Sequence, residues 1–360
     1  MINYRHYIPI LKGKRGEFGA LRHLTEEKKK LITPLIDVSR ISSKSKEKTT
    51  IEAHLEKIAH YVRKDWGIMP ILIDLTDIHP DMRTEAGEHP LKYIFTVLRA
   101  VGAHAMPVTG LDRDRAYNEA VLSIVKEDNR GACIRVLMED TDNITDLNIG
   151  LVSLLNDLKL DRKRTHLLID LKDIQQQDLS RLESRMDKII NGLHSVNDWH
   201  SFTLASSNFP ESLASVKRNA IVEIDRRDYQ LWRSFLKKHH NLKRLPSYGD
   251  YGVVHPVWVD IDLSIINPSA KIRYTLEDKW LVVKGHSLKT GAKYGQYHEL
   301  AGRLIKESKY IGKSFSWGDD YITMCAGGAA KSGNLEMWIK VDTNHHITFV
   351  SDQISKIFVP

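Results

Sequence analysis

The stretch Met69–Leu75, with the sequence MPILIDL, is a short apolar run interrupted by a single acid. It lacks the strict alternation of polar and apolar residues that marks a half-exposed strand. Continuous apolar runs of this length are typical of strands in a parallel sheet that is covered on both faces. We therefore interpret Met69–Leu75 as a buried parallel strand.

Similar runs recur through the first 255 residues. They are Tyr7–Leu11, Ile32–Val38, His104–Leu111, Ala132–Met138, His166–Leu171, Phe202–Ala205 and Leu245–Val254. Between them, apolar residues recur at helical spacing, most clearly over Ile51–Trp66 and Leu179–Leu193. Strands that alternate with helices in this number predict an α/β fold, a (β/α)8 TIM-barrel-like domain. A doubly wound open sheet is the alternative.

One segment complicates the strand count. Ile221–Arg226 (IVEIDR) is a ninth apolar run. We assign it to an extended connection that leads from the seventh strand into a helix over Tyr229–His239. If this segment is a strand, we expect the eightfold count to fail.

The alternation ends near Pro256. We predict a barrel domain over residues 1–255 and a C-terminal α+β subdomain or cap over residues 256–360. The expected elements of the second part are an apolar and acidic run, two antiparallel strands and helical segments. They are Asp260–Ile266, Lys271–Thr275, Trp280–Lys284, Tyr297–Ser308, Leu335–Val341 and Ile347–Ile357.

The composition excludes several classes of protein. The chain carries a net charge of +7 from 53 basic and 46 acidic residues, and its basic clusters are interspersed with acids. Two cysteines cannot make a disulfide framework. No apolar run approaches the roughly 18 residues that a membrane helix needs, and no secretory signal opens the chain. We expect a cytoplasmic protein without membrane contact, in which the basic residues are solvated surface or, alternatively, bind nucleic acid.

The candidate site residues lie where the predicted strands end, because that face of a (β/α)8 barrel carries function. Asp37, Asp74 and Asp170 all follow the dipeptide Leu-Ile, and Lys12 is the natural counter-charge. The other predicted mouth residues are Lys14, Glu17, Asp225, Arg226 and Asp250. A ring of carboxylates suits Mg²⁺ or a basic partner, but an aspartate after a strand also caps helices.

No complete catalytic motif accompanies these residues. Ser206 and Ser207 lack the G-x-S-x-G elbow, and Gly327–Ser332 lacks the glycines of a P-loop. His345 and His346 are adjacent, so on a helix they point about 100° apart and do not suit a shared metal. We expect no metal and no cofactor, and we leave open whether the protein is an enzyme.

Segments at both ends of the chain resemble the bacteriophage Beta protein family. Tyr7–Leu21 (YIPILKGKRGEFGAL) and Ile32–Val38 (ITPLIDV) are similar to its beginning, and Lys271–Thr275 and Trp280–Gly285 to its ending. The resemblance covers nearly the whole chain. The resemblance supplies no catalytic residues, and the candidates in the C-terminal part are Tyr274, Lys284, Trp338, His345 and His346.

The resemblance implies a function that the residues alone do not show. The family is named for a satellite-phage protein encoded beside a host-killing protein, Gop, and a small regulator, cII. It implies an anti-phage, abortive-infection cassette in which this protein restrains a Gop-like toxic partner by direct binding, with a cII-type regulator as a further partner. Two alternatives remain: a hydrolase that acts on a phosphate-containing substrate through Lys12, Asp37, Asp74 and Asp170, and a nucleic-acid-binding protein.

Overall fold

Eleven strands lie in the part of the chain that the computed structural model describes, residues 2–42, 49–242, 244–257 and 267–357. In chain order they are β1 Tyr7–Leu11, β2 Leu35–Asp37, β3 Ile71–Asp74, β4 Ala105–Thr109, β5 Ala132–Leu137, β6 Thr165–Asp173, β7 Ser201–Ser207, β8 Ala220–Asp225, β9 Ser247–Asp250, β10 Ser269–Thr275 and β11 Lys279–Ser287. Eight of them close into a parallel barrel in the order β1-β2-β3-β4-β5-β6-β7-β9. The predicted (β/α)8 fold is confirmed, and the open-sheet alternative is wrong.

Helices follow most of the barrel strands, and further helices belong to the C-terminal region. They are α1 Arg15–Arg22, α2 Glu26–Lys30, α3 Ile51–Tyr61, α4 Pro90–Ala100, α5 Arg115–Asp128, α6 Ile144–Asp157, α7 Leu179–Gly192, α8 Arg227–Lys238, α9 Tyr297–Leu304, α10 Trp317–Ala326 and α11 Leu335–Ser355. Side-chain oxygens satisfy free N–H groups at several helix starts. Asp114 accepts from the N–H of Tyr117 at 2.9 Å, and Asp178 accepts from that of Arg181 at 3.0 Å.

Alternation along the barrel strands separates two cores. Leu35, Leu72 and Leu168 belong to the small core inside the barrel. The isoleucines that follow each of them belong to the larger core between the barrel and its helices. Because successive side chains of a strand point to opposite faces, the residue after each isoleucine points into the barrel again. This rule determines which polar residues reach the barrel mouth.

The segment that we assigned to a connection is a strand outside the barrel. β8 pairs antiparallel with β11, with Val222 opposite Val282, in a three-stranded sheet of order β10-β11-β8. The chain leaves the barrel after β7, adds this strand to the second sheet and returns through α8. The assignment of Ile221–Arg226 was therefore wrong, and the eightfold count nevertheless stands. The predicted strands Lys271–Thr275 and Trp280–Lys284 pair as expected, while Asp260–Ile266 lies outside the described residues.

A single helix of 21 residues, α11, ties the C-terminal region to the barrel. We predicted two separate segments here and did not predict α10. Trp338 and Val341 of α11 belong to the core of the C-terminal region, whereas Ile347, Val350 and Ile354 belong to the core around the barrel. No helix among the described residues is both long and apolar enough to cross a membrane.

We predict that replacing Ile347 by alanine destabilises the whole molecule. Ile347 is fully buried in the core around the barrel, so the lost contacts and the resulting cavity should lower the free energy of unfolding by about 2–5 kcal/mol. Denaturant unfolding followed by circular dichroism measures this loss. Ile311→Ala is the control, because Ile311 is 45% exposed and its replacement should change stability by less than about 0.5 kcal/mol. A loss confined to the C-terminal region would contradict the coupling through α11.

Candidate functional site

The barrel mouth gathers the three aspartates of the Leu-Ile-Asp motif. Asp37, Asp74 and Asp170 are all buried, and Asp37 and Asp74 lie opposite each other in the register of β2 and β3. Their inward direction follows from the alternation of the strands. The fold therefore brings these three predicted site residues together at the barrel mouth.

Arg135 lies at the centre of this group and was missed by the sequence analysis. It donates from Nη1 to Asp74 Oδ2 at 2.7 Å and from Nη2 to Asp170 Oδ2 at 2.7 Å. Nη2 also donates to the hydroxyl of Tyr251 at 2.7 Å, and that hydroxyl donates to Asp170 at 2.6 Å. Nη1 lies 3.7 Å from Asp37. One guanidinium thus contacts acids from three strands. A signal was present in the sequence, because Cys133-Ile-Arg135 repeats the Leu-Ile-Asp pattern with an arginine in the acidic position.

Two further cations pair with the inward acids of the mouth. Lys12 donates to Asp37 Oδ2 at 2.8 Å, as the sequence analysis expected of a counter-charge. Arg113 contacts both carboxylate oxygens of Asp74 at 3.3 Å. Burial alone would raise the pKa of Asp74, but the charges of Arg113 and Arg135 outweigh it and lower the pKa. Arg113 lies in a loop and carried no sequence signal.

The paired charges limit the chemistry that the mouth can perform. Asp37, Asp74 and Asp170 each contact at least one cation, so each carboxylate is held in an ion pair. Oδ1 of Asp37 is buried and has no hydrogen-bond partner among the described residues. Among the described residues, no three or more His, Cys, Asp or Glu side chains are grouped to hold a metal ion. The half-buried Asp77 differs from the other acids. Burial and the charge of Asp37 raise its pKa, and Lys12 is 3.8 Å away.

Asp250 does not face the barrel interior, which corrects the prediction that it belongs to the mouth. It lies two positions after Tyr248, whose side chain belongs to the core outside the barrel, so both point outwards. Asp250 accepts hydrogen bonds from the hydroxyl of Tyr7 at 2.5 Å and the N–H of Gly252 at 2.9 Å. Nε2 of His346 lies 2.9 Å from its second oxygen. Asp250 therefore joins the barrel to α11.

Asp225 and Arg226 also lie away from the mouth. Asp225 is exposed at the end of β8, in the second sheet rather than on a barrel strand. Arg226 is fully buried and donates to the carbonyl oxygens of Leu276 and Glu277 at 3.0 and 3.2 Å. These two predictions fail because β8 was not recognised as a strand of the second sheet.

Lys14 and Glu17 hold the loop between β1 and α1. Glu17 is buried and accepts from the backbone N–H groups of Lys12 and Lys14 at 3.2 and 3.0 Å. Burial raises its pKa. Glu17 shapes the loop that carries Lys12.

Three of the C-terminal candidates, Tyr274, Trp338 and His345, have structural contacts. The hydroxyl of Tyr274 donates to Asp319 at 2.8 Å, and Nδ1 of His345 lies 2.9 Å from the same carboxylate. Trp338 stacks on Tyr297 with ring centroids 4.4 Å apart. His345 and His346 bind different acids, as expected of neighbours that point in different directions.

The remaining candidate, Lys284, lies in a basic cleft between the barrel mouth and the second sheet. The cleft has a volume of about 940 Å³. We define the basic cleft by the cations that line it, which are Lys12, Lys14, Lys217, Arg218, Lys271, Arg273 and Lys284. Two acids, Glu17 and Glu211, also line it. Because Lys12 is paired with Asp37, six other cations stand against these two acids, and the cleft carries an excess of positive charge.

Like charges lie close together on the floor of the basic cleft. The neighbouring charge of Arg273, together with burial, lowers the pKa of Lys271 to about 7. Asp342 of α11 contacts Arg273 at 3.0 Å, and burial raises the pKa of Asp342 to about 7. The sequence carried a signal here, because Lys271 and Arg273 alternate with Ile272 and Tyr274, which enter the C-terminal core.

These features define a (β/α)8 barrel protein. The inward aspartates of its mouth are paired with cations of the chain, and a basic cleft lies beside the mouth. The family model described as "Beta protein" matches residues 7–352. The chain belongs to the Beta protein family, which confirms the resemblance noted from its sequence.

One phage protein and one solved structure are similar to this chain. Protein beta of Enterobacteria phage P4 is 22% identical over 361 residues, covering 96% of this chain and 92% of the phage protein. A crystal structure of triosephosphate isomerase from Bartonella henselae has a TM-score of 0.38 and 13% identity, covering 70% of this chain and 94% of that chain. The fold assignment rests on the closed barrel itself.

Replacing Arg135 by methionine should destabilise the barrel strongly. The substitution keeps much of the side-chain volume but leaves Asp74 and Asp170 buried without their shared cation, which costs about 3–5 kcal/mol. Chemical denaturation at neutral pH measures the change. Arg115→Met is the matched control, since Arg115 is 92% exposed and pairs with Glu119 of its own helix. Equal stability of the two variants would show that Arg135 does not hold the mouth together.

Asp250 should contribute to the loss of folding stability at acidic pH. Burial alone would raise its pKa, but His346, Arg226 and the Tyr7 hydroxyl hold the pKa at about 2, below the ordinary value of 3.8. A lowered pKa stabilises the folded state above about pH 4, and this contribution is lost as the pH falls from about 4 to 2. We expect Asp250→Asn to be less stable than the wild type by about 2 kcal/mol at pH 6, with the difference closing by about pH 2. A difference independent of pH, measured by urea unfolding, would contradict the assignment.

Proposed function

We propose that this Beta-type protein is a binding protein that restrains a Gop-like toxic partner by direct contact. It would act as the antitoxin of a cytoplasmic anti-phage cassette, with a cII-type regulator as a further partner. The observation that carries the proposal is the internal pairing of the barrel mouth. Its three inward aspartates all contact Lys12, Arg113 or Arg135, so the usual catalytic face of the fold is an ion-pair network.

Membership of the Beta protein family supports the same proposal. The match extends over residues 7–352, which include both the barrel and most of α11. A binding role needs no free nucleophile and no metal, and a rigid barrel can present a partner surface through the loops at its mouth. A binding role is therefore compatible with the paired charges of the mouth.

Hydrolysis of a phosphate-containing substrate is the second candidate, and one observation favours it. Asp77 is half-buried at the mouth with a raised pKa, close to Lys12 and Asp37. A carboxyl group with a raised pKa beside a cation is a candidate general acid or base. A substitution of Asp77 therefore distinguishes the two candidate functions.

Co-expression tests the binding role directly. The tagged full chain is produced together with a Gop-like protein, and the purified material is analysed by light scattering. We expect a complex of defined stoichiometry and rescue of cell growth. Rescue without a complex would overturn restraint by direct contact and would favour catalysis.

Asp77→Asn should leave both the complex and the rescue of growth unchanged. The substitution removes a half-buried carboxylate with a raised pKa from the mouth and preserves its shape. Asp81→Asn is the control, because Asp81 lies on the same loop with its side chain 91% exposed. If Asp77→Asn abolishes rescue while the complex still forms and Asp81→Asn does not, the mouth is catalytic and the binding proposal is wrong.

A further inference from the structure

The floor of the basic cleft holds a row of four neighbouring cations. Lys271 of β10 and Lys284 of β11 lie directly opposite each other in the antiparallel register. Arg273 lies two positions from Lys271 and therefore on the same face. Arg218 extends the row from the β7–β8 loop. Arg218 and Lys284 line the same cleft, and burial and the charge of Arg218 lower the pKa of Lys284.

The protein compensates this row only in part. Among the described residues, Asp342 is the one carboxylate that forms an ion pair with any of the four cations. Lys284 donates instead to the carbonyl oxygens of Leu213 and Val216, both at 2.6 Å. Nε of Arg273 is buried and has no hydrogen-bond partner. Like charges placed opposite each other in a sheet are destabilising, so a further negative charge would stabilise the row.

We propose that the basic cleft binds a phosphate-bearing ligand of nucleotide size. Its volume of about 940 Å³ lies within the range of small-molecule sites, about 300–1,000 Å³. Arginine and lysine are the side chains that recognise phosphate, through a planar fork and a compact charge respectively. Lys14 and Lys217 add cations from two rims of the cleft.

The arrangement favours a phosphate group over an acidic segment of a protein. The four cations are concentrated on one part of the cleft floor, whereas the carboxylates of a peptide are distributed along its length. A diphosphate or triphosphate concentrates several negative charges within one group. The rest of the lining includes Phe209, Val253 and Ile339, which suit the less polar part of a nucleotide.

Two sources share this chemistry, a free nucleotide and the phosphorylated end of a nucleic-acid strand. Calorimetric titration of the full chain with ATP, and separately with single-stranded DNA with or without a 5′-phosphate, distinguishes them. Saturable binding of ATP identifies a free nucleotide. Binding of DNA that requires the 5′-phosphate identifies a strand end.

The double variant Lys217→Ala with Arg218→Ala tests the location of the site. Both residues are exposed on the β7–β8 loop, so their loss should leave the fold intact. We expect at least tenfold weaker binding of the probe that the wild type binds. Lys163→Ala with Lys237→Ala removes the same charge from exposed positions outside the cleft lining and should have a much smaller effect.

Lys271→Met provides a second and independent variant. It removes a cation from the row, so we expect at least tenfold weaker binding together with an unchanged or higher melting temperature of the free protein. Replacing a lysine that has only a structural role would not weaken binding while leaving the melting temperature unchanged or higher. The proposal is overturned if no phosphate probe binds saturably at low salt, or if the cleft and control variants weaken binding equally. It does not depend on restraint of a toxic partner, because every measurement uses this chain alone.

Discussion

The guanidinium of Arg135 is the contact on which the barrel mouth depends. A parallel barrel brings the ends of its strands together, and here three of those ends carry inward aspartates. Buried carboxylates without a cation would be strongly destabilising. Arg135 solves this problem because its planar group carries five donors and contacts Asp74, Asp170 and Tyr251 at the same time. Lys12 and Arg113 then complete the neutralisation from the loops.

The strand pattern explains how much of the architecture could be predicted. The buried runs identified the eight barrel strands because parallel strands leave a continuous apolar signature. The Leu-Ile-Asp triplets identified the inward acids because alternation assigns the same direction to equivalent positions. The segment Ile221–Arg226 has the apolar content of a strand but no local feature that names its partner. Its pairing with β11 is decided by a contact between residues about 60 positions apart in sequence.

The errors at the site have the same physical origin. Asp250 ends a barrel strand as Asp37 and Asp74 do, but it lies at the outward position of the alternation. Its partners are Tyr7 and His346, which come from opposite ends of the chain. Arg113 and Asp77 lie in loops, where no periodic pattern assigns a direction. Arg135 was within reach of the sequence, because Cys133-Ile-Arg135 follows the same alternation as the aspartates.

The mouth and the basic cleft differ in how their charges are compensated. In the mouth, each of the inward acids meets a cation from the chain itself, which is what structural stability requires of buried charge. On the cleft floor, Lys271 and Lys284 face each other and a single acid, Asp342, pairs with the row. Proteins retain such local conflicts where a ligand or partner relieves them. The helix that carries Asp342 also carries His346, so α11 links the cleft floor to the barrel wall through Asp250. Asp342 is thus on a helix whose apolar side chains belong to both the core of the C-terminal region and the core around the barrel.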